Sequence, residues 1–185
     1  MTTTLDGRRV LAIVTNYGVE QDELVVPVQH LRERGATVHV AAVDDAPVRT
    51  LVGDQDPGTQ VDPDTTLDQV DPADYDLLLV PGGTLNADAL RLEERALAIV
   101  RAVAAAARPV AAICHGPWML AETGLAEGVR LTSYPSLATD LRNAGATWVD
   151  EPVVTDESGG FTLVTSRTPD DLDAFLGAVE QALTD

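Results

Sequence analysis

Short, wholly apolar runs alternate along this chain with longer segments in which apolar residues recur at helical spacing. Val10-Leu11-Ala12-Ile13-Val14 carries no polar residue and predicts a buried strand. From Glu20 to Arg34, Leu24, Val28 and Leu31 fall on one helical face, and the run stops at Gly35. Thr37 to Ala42 reads as a second strand. Asp44 to Asp74 is rich in Pro, Gly and Asp and predicts an irregular excursion or a small hairpin. Leu77 to Val80 is a third strand, closed by Pro81-Gly82-Gly83. An alanine-rich helix is expected from Glu93 to Ala107, ended near Pro109, and a strand from Val110 to Ile113. A helical pattern begins again at Pro117. Phe161 to Thr165 reads as a strand, and Pro169 to Leu183 as a closing helix with a proline and two aspartates in its first turn. Fully apolar strands separated by helices imply a mainly parallel sheet covered on both faces. Such sheets place active sites at the carboxyl ends of their strands. That rule singles out Asn16 to Glu23, Pro81 to Asp88 and Cys114 to Gly116.

Composition narrows the picture. A chain of 185 residues, 45% hydrophobic, is expected to form one domain over 1–185. Twelve basic residues, every one an arginine, stand against 30 acidic ones, for a net charge of -18. Nucleic acid and anionic membrane are therefore not expected partners, since their phosphates are repelled. Two sources fit this acidity equally, a salty cytoplasm and GC-rich coding that disfavours lysine. Without lysine there is no Schiff base of the pyridoxal kind. A single cysteine leaves no internal disulfide. No signal-like start or membrane-length apolar run is evident, so a cytoplasmic location is expected.

The single cysteine sits where an apolar strand ends abruptly, in Ala112-Ile113-Cys114-His115-Gly116. Strand, sharp turn and helix make a nucleophile elbow, whose tight turn needs small neighbours. A buried structural thiol is the alternative reading. Pro81-Gly82-Gly83 is at least a tight strand exit. Beside an elbow, such a glycine loop can offer a backbone N–H that completes an oxyanion hole with the N–H of His115. His30 and His39 lie in helix and strand patterns without metal-ligand spacing, so both are expected to be structural and no metal is expected. Trp118 either lines the pocket or packs, and Trp148 is expected in the core.

Taken together, Ala-Ile-Cys-His-Gly-Pro, Pro-Gly-Gly after the third strand and Glu23-Leu24-Val25-Val26-Pro27 resemble the PfpI family, within the DJ-one superfamily. That superfamily is related in fold to class I glutamine amidotransferases. Leu131-Thr132-Ser133-Tyr134-Pro135-Ser136, Asp140 to Ala146 and Val164-Thr165-Ser166-Arg167 extend the likeness along nearly the whole chain. The resemblance implies an α/β, flavodoxin-like three-layer sandwich with a nucleophile elbow, and a homodimer or higher homo-oligomer. It implies Cys114 as nucleophile, His115 as base, Glu23 as the carboxyl against the thiol, and Gly83 as an oxyanion donor. Tyr134 falls in a motif at the pocket rim. With the helix start, His115 and Glu23 converging on it, the thiol is expected to ionise below neutral pH.

One departure stands out. Archaeal protease members complete a triad with a glutamate just beyond Pro-Gly-Gly, supplied by a neighbouring subunit. Ala87 occupies that place here, and Asp88 follows it. Asp88 either substitutes as a third acid or caps a helix beginning near Ala89. The resemblance therefore implies a cofactor-free cysteine hydrolase acting on reactive dicarbonyls or their protein adducts, in the manner of a glyoxalase or deglycase. An intracellular cysteine peptidase is the alternative within enzymes. A redox-sensing or chaperone-like stress protein is the alternative outside them. Glutamine amidotransfer is weaker, because no histidine follows His115.

Overall fold

A computed structural model describes residues 4–184. Its strands are β1 (Arg9–Ile13), β2 (Tyr17–Glu20), β3 (Thr37–Ala42), β4 (Val48–Val52), β5 (Asp56–Val61), β6 (Thr65–Thr66), β7 (Leu77–Val80), β8 (Val110–Ile113), β9 (Arg130–Leu131), β10 (Thr147–Trp148), β11 (Val153–Asp156) and β12 (Leu163–Ser166). Its helices are α1 (Gln21–Glu33), α2 (Thr84–Leu90), α3 (Glu94–Ala105), α4 (Trp118–Thr123), α5 (Ala138–Asn143) and α6 (Leu172–Thr184). A seven-stranded sheet runs β11-β12-β8-β7-β1-β3-β6. Every pairing in it is parallel except the antiparallel edge pair β11–β12. The order β3-β1-β7-β8-β12 is that of a flavodoxin-like fold, whose switch point lies beside the first strand.

Side-chain alternation sorts the strand residues into two cores. Leu11 and Ile13 of β1, Leu78 and Val80 of β7, and Val110 and Ala112 of β8 pack with α3, α4 and α5. Val10 and Ala12, Leu77 and Leu79, and Ala111 and Ile113 pack on the other face with α1 and α6. The period of two along each strand produces this division. Cys114 joins the second core, the side on which α1 carries Glu23.

The segment from Asp44 to Asp74 takes the second of its two expected forms, a small hairpin. β4 and β5 form an antiparallel hairpin, and β2 pairs in parallel with β4. Gly53 and Asp54 at the hairpin tip have φ of 61° and 59°. Two successive left-handed residues are what a tight hairpin turn requires, and aspartate tolerates that region better than most residues. A correction concerns the helix after Pro81-Gly82-Gly83. It begins at Thr84, not near Ala89, so Asp88 lies inside α2 and caps nothing. No helix among the described residues is long and apolar enough to cross a membrane.

Candidate active site

The end of β8 turns sharply at Cys114, whose φ of 61° places a non-glycine residue in the left-handed region. Strain of that kind at a strand-to-helix turn is the signature of a nucleophile elbow. The turn is held by the Cys114 N–H donating to the Ser166 carbonyl at 3.0 Å and by the Tyr134 N–H donating to the Cys114 carbonyl at 2.8 Å. Beside it, β7 exits through Pro81-Gly82-Gly83. Gly83 has φ of 79°, and a Cβ there would meet the Gly18 carbonyl oxygen at 2.3 Å. Only glycine lets that turn approach so closely. The N–H groups of Gly83 and His115 both point at the Cys114 sulfur.

The structure brings Glu23 into the same place. α1 buries Glu23, Leu24, Pro27, Val28 and Leu31 along one stripe, and Glu23 is wholly buried. Its Oε2 accepts from the Gly82 N–H at 2.8 Å. Oε1 is buried without a hydrogen-bond partner, and the carboxyl group interacts with the Cys114 thiol. Burial raises the Glu23 carboxyl from 4.5 to about 8, so at neutral pH it is a carboxylic acid able to donate to sulfur. His115 is buried too, with Nδ1 3.2 Å from the Cys114 sulfur. Burial lowers its pKa, partly offset by the nearby Asp54 charge. The imidazole is thus neutral and has a proton-accepting nitrogen.

The thiol departs from the sequence expectation. Burial raises the Cys114 pKa and an ionised Glu23 would raise it further, while the backbone N–H groups of Gly83 and His115 act in the opposite direction. The helix α4 that was to favour a thiolate spans six residues and begins beyond Pro117, so its dipole is too short and too distant to offset burial. Burial therefore favours the thiol over the thiolate, beside a Glu23 carboxyl that burial keeps protonated.

An open cleft of about 590 Å³ lies over this group, lined by Glu20, Glu23, Asp54, Thr84, His115 and Tyr134 among others. Tyr134 stacks on the His115 ring, centroids 4.7 Å apart and planes inclined 24°. Trp118 does not line the cleft; it packs behind His115 at 5.3 Å, and its indole N–H donates to Asp140. Trp148 is half-buried against the core. His30 pairs with Glu180 at 2.6 Å and His39 with the Tyr75 hydroxyl at 2.9 Å, which accounts for both as structural groups. Asp88 is exposed on α2 and does not reach the cleft of its own chain, while Ala87 is buried. Among the described residues, no cluster of three or more His, Cys, Asp or Glu side chains is arranged to hold a metal ion.

Two groups in the site escaped the sequence reading. Asn86 is buried and ties the β1 exit to the glycine turn: Oδ1 accepts from the Thr15 N–H at 2.8 Å, and Nδ2 donates to the Gly82 carbonyl at 2.9 Å. Asp54, from the hairpin tip, reaches Thr84. Asn86 sat within a stretch singled out by its place after a strand; nothing in the sequence linked Asp54 to a turn thirty residues on.

A flavodoxin-like sheet with a strained cysteine on an elbow, a carboxyl donated from the first helix and a glycine turn opposite defines a class of cysteine-centred α/β proteins. The chain belongs to the DJ-1/PfpI family, whose model matches residues 8–182. It is 39% identical over 168 residues to Deglycase PH1704 of Pyrococcus horikoshii, covering 91% of this chain and 95% of that one. It is 38% identical over 170 residues to General stress protein 18 of Bacillus subtilis, covering 91% and 94%. The crystal structure of Drosophila melanogaster DJ-1beta superposes with a TM-score of 0.84 at 32% identity, covering 95% of this chain and 90% of that one.

Proposed function

We propose that this protein is a stress-protective cysteine hydrolase acting on small reactive dicarbonyls such as methylglyoxal and on their early adducts with protein amines. One observation carries the reading. The Cys114 sulfur lies 3.2 Å from His115 Nδ1 on the cleft floor, with two backbone N–H groups aimed at it. Relatives named as a deglycase and a general stress protein support it.

The chemistry follows from the resting protonation. Because burial disfavours the free thiolate, attack is served by a base, and His115, with Nδ1 3.2 Å from the sulfur, is the adjacent one. The sulfur bonds to the aldehyde carbon as the C=O π bond breaks, and the thiol proton passes to Nδ1. The new oxyanion lies between the N–H groups of Gly83 and His115 and takes that proton, closing a hemithioacetal. His115 then moves the former aldehyde proton to the neighbouring carbonyl carbon. That oxidises the first carbon and reduces the second with the same electron pair, leaving a lactyl thioester. Water cleaves the thioester to lactate and restores the thiol. In a hemiaminal adduct the C–N bond breaks as sulfur bonds to the same carbon, the departing amine takes the thiol proton by way of His115, and the resulting hemithioacetal follows the same course.

Among the described residues, Glu20, Asp22, Glu23 and Asp54 line the cleft and no arginine does. This supports neutral carbonyls and adducts on arginine over anionic substrates. Peptide hydrolysis is expected to be weaker, because the place of a third acid is taken by buried Ala87. The test is a turnover assay with methylglyoxal, the anionic 2-oxoaldehyde 4,5-dioxovalerate, glycated amino acids and casein. Sustained release of the 2-hydroxy acid or amine, faster on methylglyoxal than on 4,5-dioxovalerate, lost in Cys114→Ala and reduced roughly a hundredfold in His115→Ala, is expected. Robust casein cleavage without carbonyl turnover makes the protein a peptidase. A single round of thiol oxidation without turnover makes it a sensor.

We also propose a homodimer or higher homo-oligomer. Leu85, Asp88 and Leu92 share one exposed side of α2 and the turn after it, which supports burial against a second copy. Light scattering should give a mass above the 19.6 kDa of one chain. A strict monomer at micromolar concentration removes any role for a neighbour's Asp88.

A further inference from the structure

His115 has two ring nitrogens, and the proposed chemistry needs one particular arrangement of its single proton. Nδ1 faces the thiol and must be bare to accept from it. The proton must then sit on Nε2, and the structure supplies what holds it there. The Thr84 hydroxyl lies 3.3 Å from Nε2. That hydroxyl also lies 2.6 Å from Oδ2 of Asp54, while Asp54 Oδ1 accepts from the Thr84 N–H at 2.8 Å. A carboxylate only accepts, and a hydroxyl has one proton to give. The Thr84 proton is therefore committed to Asp54, and its oxygen presents a lone pair to the imidazole. Only Nε2–H satisfies that lone pair.

We infer that Asp54 and Thr84 form a relay within one chain that locks His115 in the Nε2–H tautomer and leaves Nδ1 free to take the Cys114 proton. The order is Asp54 carboxylate, Thr84 hydroxyl, His115 imidazole, Cys114 thiol. Asp54 and Thr84 are positioning residues: they act through His115 and carry out no step themselves. The hairpin geometry agrees, since Asp54 holds a left-handed φ of 59° at the tip that delivers it to the amino end of α2. The negative charge of Asp54 also favours the imidazolium formed when the thiol proton arrives. In this chain the relay supplies an orienting carboxylate without any residue at the Ala87 place.

The inference rests on the proposal that His115 is the base, and its test does not use carbonyl turnover. In Asp54→Asn the turn survives, because asparagine also tolerates the left-handed region. The carboxamide NH₂ then donates to the Thr84 oxygen, and the freed hydroxyl proton points at Nε2. That reverses the relay and drives the ring proton to Nδ1. Nitrogen-15 NMR of histidine-labelled protein, assigned with His115→Gln, is expected to show Nε2–H in the wild type and Nδ1–H in Asp54→Asn. Iodoacetamide alkylation of Cys114, followed from pH 5 to 9, is expected to slow roughly tenfold or more in Asp54→Asn and Thr84→Val. Thr84→Ser, which keeps the hydroxyl, is expected to restore the wild-type tautomer and profile. The profile is read against the other titratable groups that line the cleft with His115, which are Cys114, Glu20, Asp22, Glu23 and Tyr134. An Nδ1–H tautomer in the wild type overturns the relay. So does an unchanged tautomer and alkylation rate in folded Asp54→Asn or Thr84→Val. Failure to turn over any dicarbonyl, with the NMR and alkylation results as expected, sinks the substrate proposal and leaves the relay standing.

Discussion

Glu23→Gln is expected to make the protein more stable than wild type at pH 8.5, by on the order of 4 kcal/mol, and to lose that advantage near pH 5. The carboxyl is wholly buried and its pKa in the folded chain is raised from 4.5 to about 8. Between those values the folded state keeps a proton that the unfolded state has released. The folded protein then binds more protons than the unfolded one, so stability falls as pH rises. The contribution of the protonated carboxyl is fully present below about pH 4.5 and is lost as pH climbs to about 8. Glutamine cannot ionise, and its carbonyl can still accept from the Gly82 N–H. Urea denaturation of both proteins at pH 5 and pH 8.5 checks this. An equal stability difference at the two pH values would mean that Glu23 is ionised when folded. The same coupling reaches the thiol. Above pH 8 a charged Glu23 stands against Cys114 and raises it further, so wild-type alkylation should flatten where an ordinary thiol accelerates.

That prediction depends on a residue whose place was only half legible. Leu24, Val28 and Leu31 marked the buried face of α1 correctly, and by spacing alone Glu23 looked like its solvated neighbour Asp22. Yet residues 23, 27 and 31 recur at four-residue intervals, and Leu31 lies on the core face. A carboxylate in phase with an apolar stripe is a sign of a buried acid that the periodicity contained. The resemblance of Glu23-Leu24-Val25-Val26-Pro27 to a family motif supplied what the spacing reading left aside.

The strands were legible because they are buried on both faces and therefore apolar throughout, with β1, β7 and β8 falling where the runs lie. α2 was not, because its seven residues are set by a glycine turn and by Asn86 hydrogen bonds rather than by a long amphipathic pattern. The upward pull of burial on the thiol was not legible for a related reason. Motifs report which groups meet, whereas the pKa depends on how much water is left when they do. Cys114 is 6% exposed, and that fact belongs to packing from two layers of the fold. Asp54 and Thr84 were invisible for the same cause: a hairpin that pairs with β2 brings them together, and no local pattern encodes that meeting.

Gly116→Ala is expected to destabilise the protein by about 3 kcal/mol and to abolish Cys114 chemistry, although it adds one methyl group. A Cβ on Gly116 would stand 2.4 Å from the Val80 carbonyl oxygen, 2.9 Å from that of Ile113 and 3.2 Å from that of Pro81. All three are backbone atoms of the strand ends that form the site, so no side chain can swing aside. Relief requires the elbow to lift away from β7, which carries the His115 N–H and the Cys114 sulfur off the line to Gly83. Gly177→Ala provides the contrast. Gly177 lies exposed within α6 with nothing inside 4 Å of its added Cβ. Alanine there lowers the backbone entropy of the unfolded chain and favours the helix, for a gain of about 0.5–1 kcal/mol. Thermal or urea unfolding of the two variants should therefore move in opposite directions, with alkylation of Cys114 unchanged in Gly177→Ala and lost in Gly116→Ala. Equal stability in both would show that the elbow relaxes freely, and that the close approach of β8 to β7 is not what fixes Cys114.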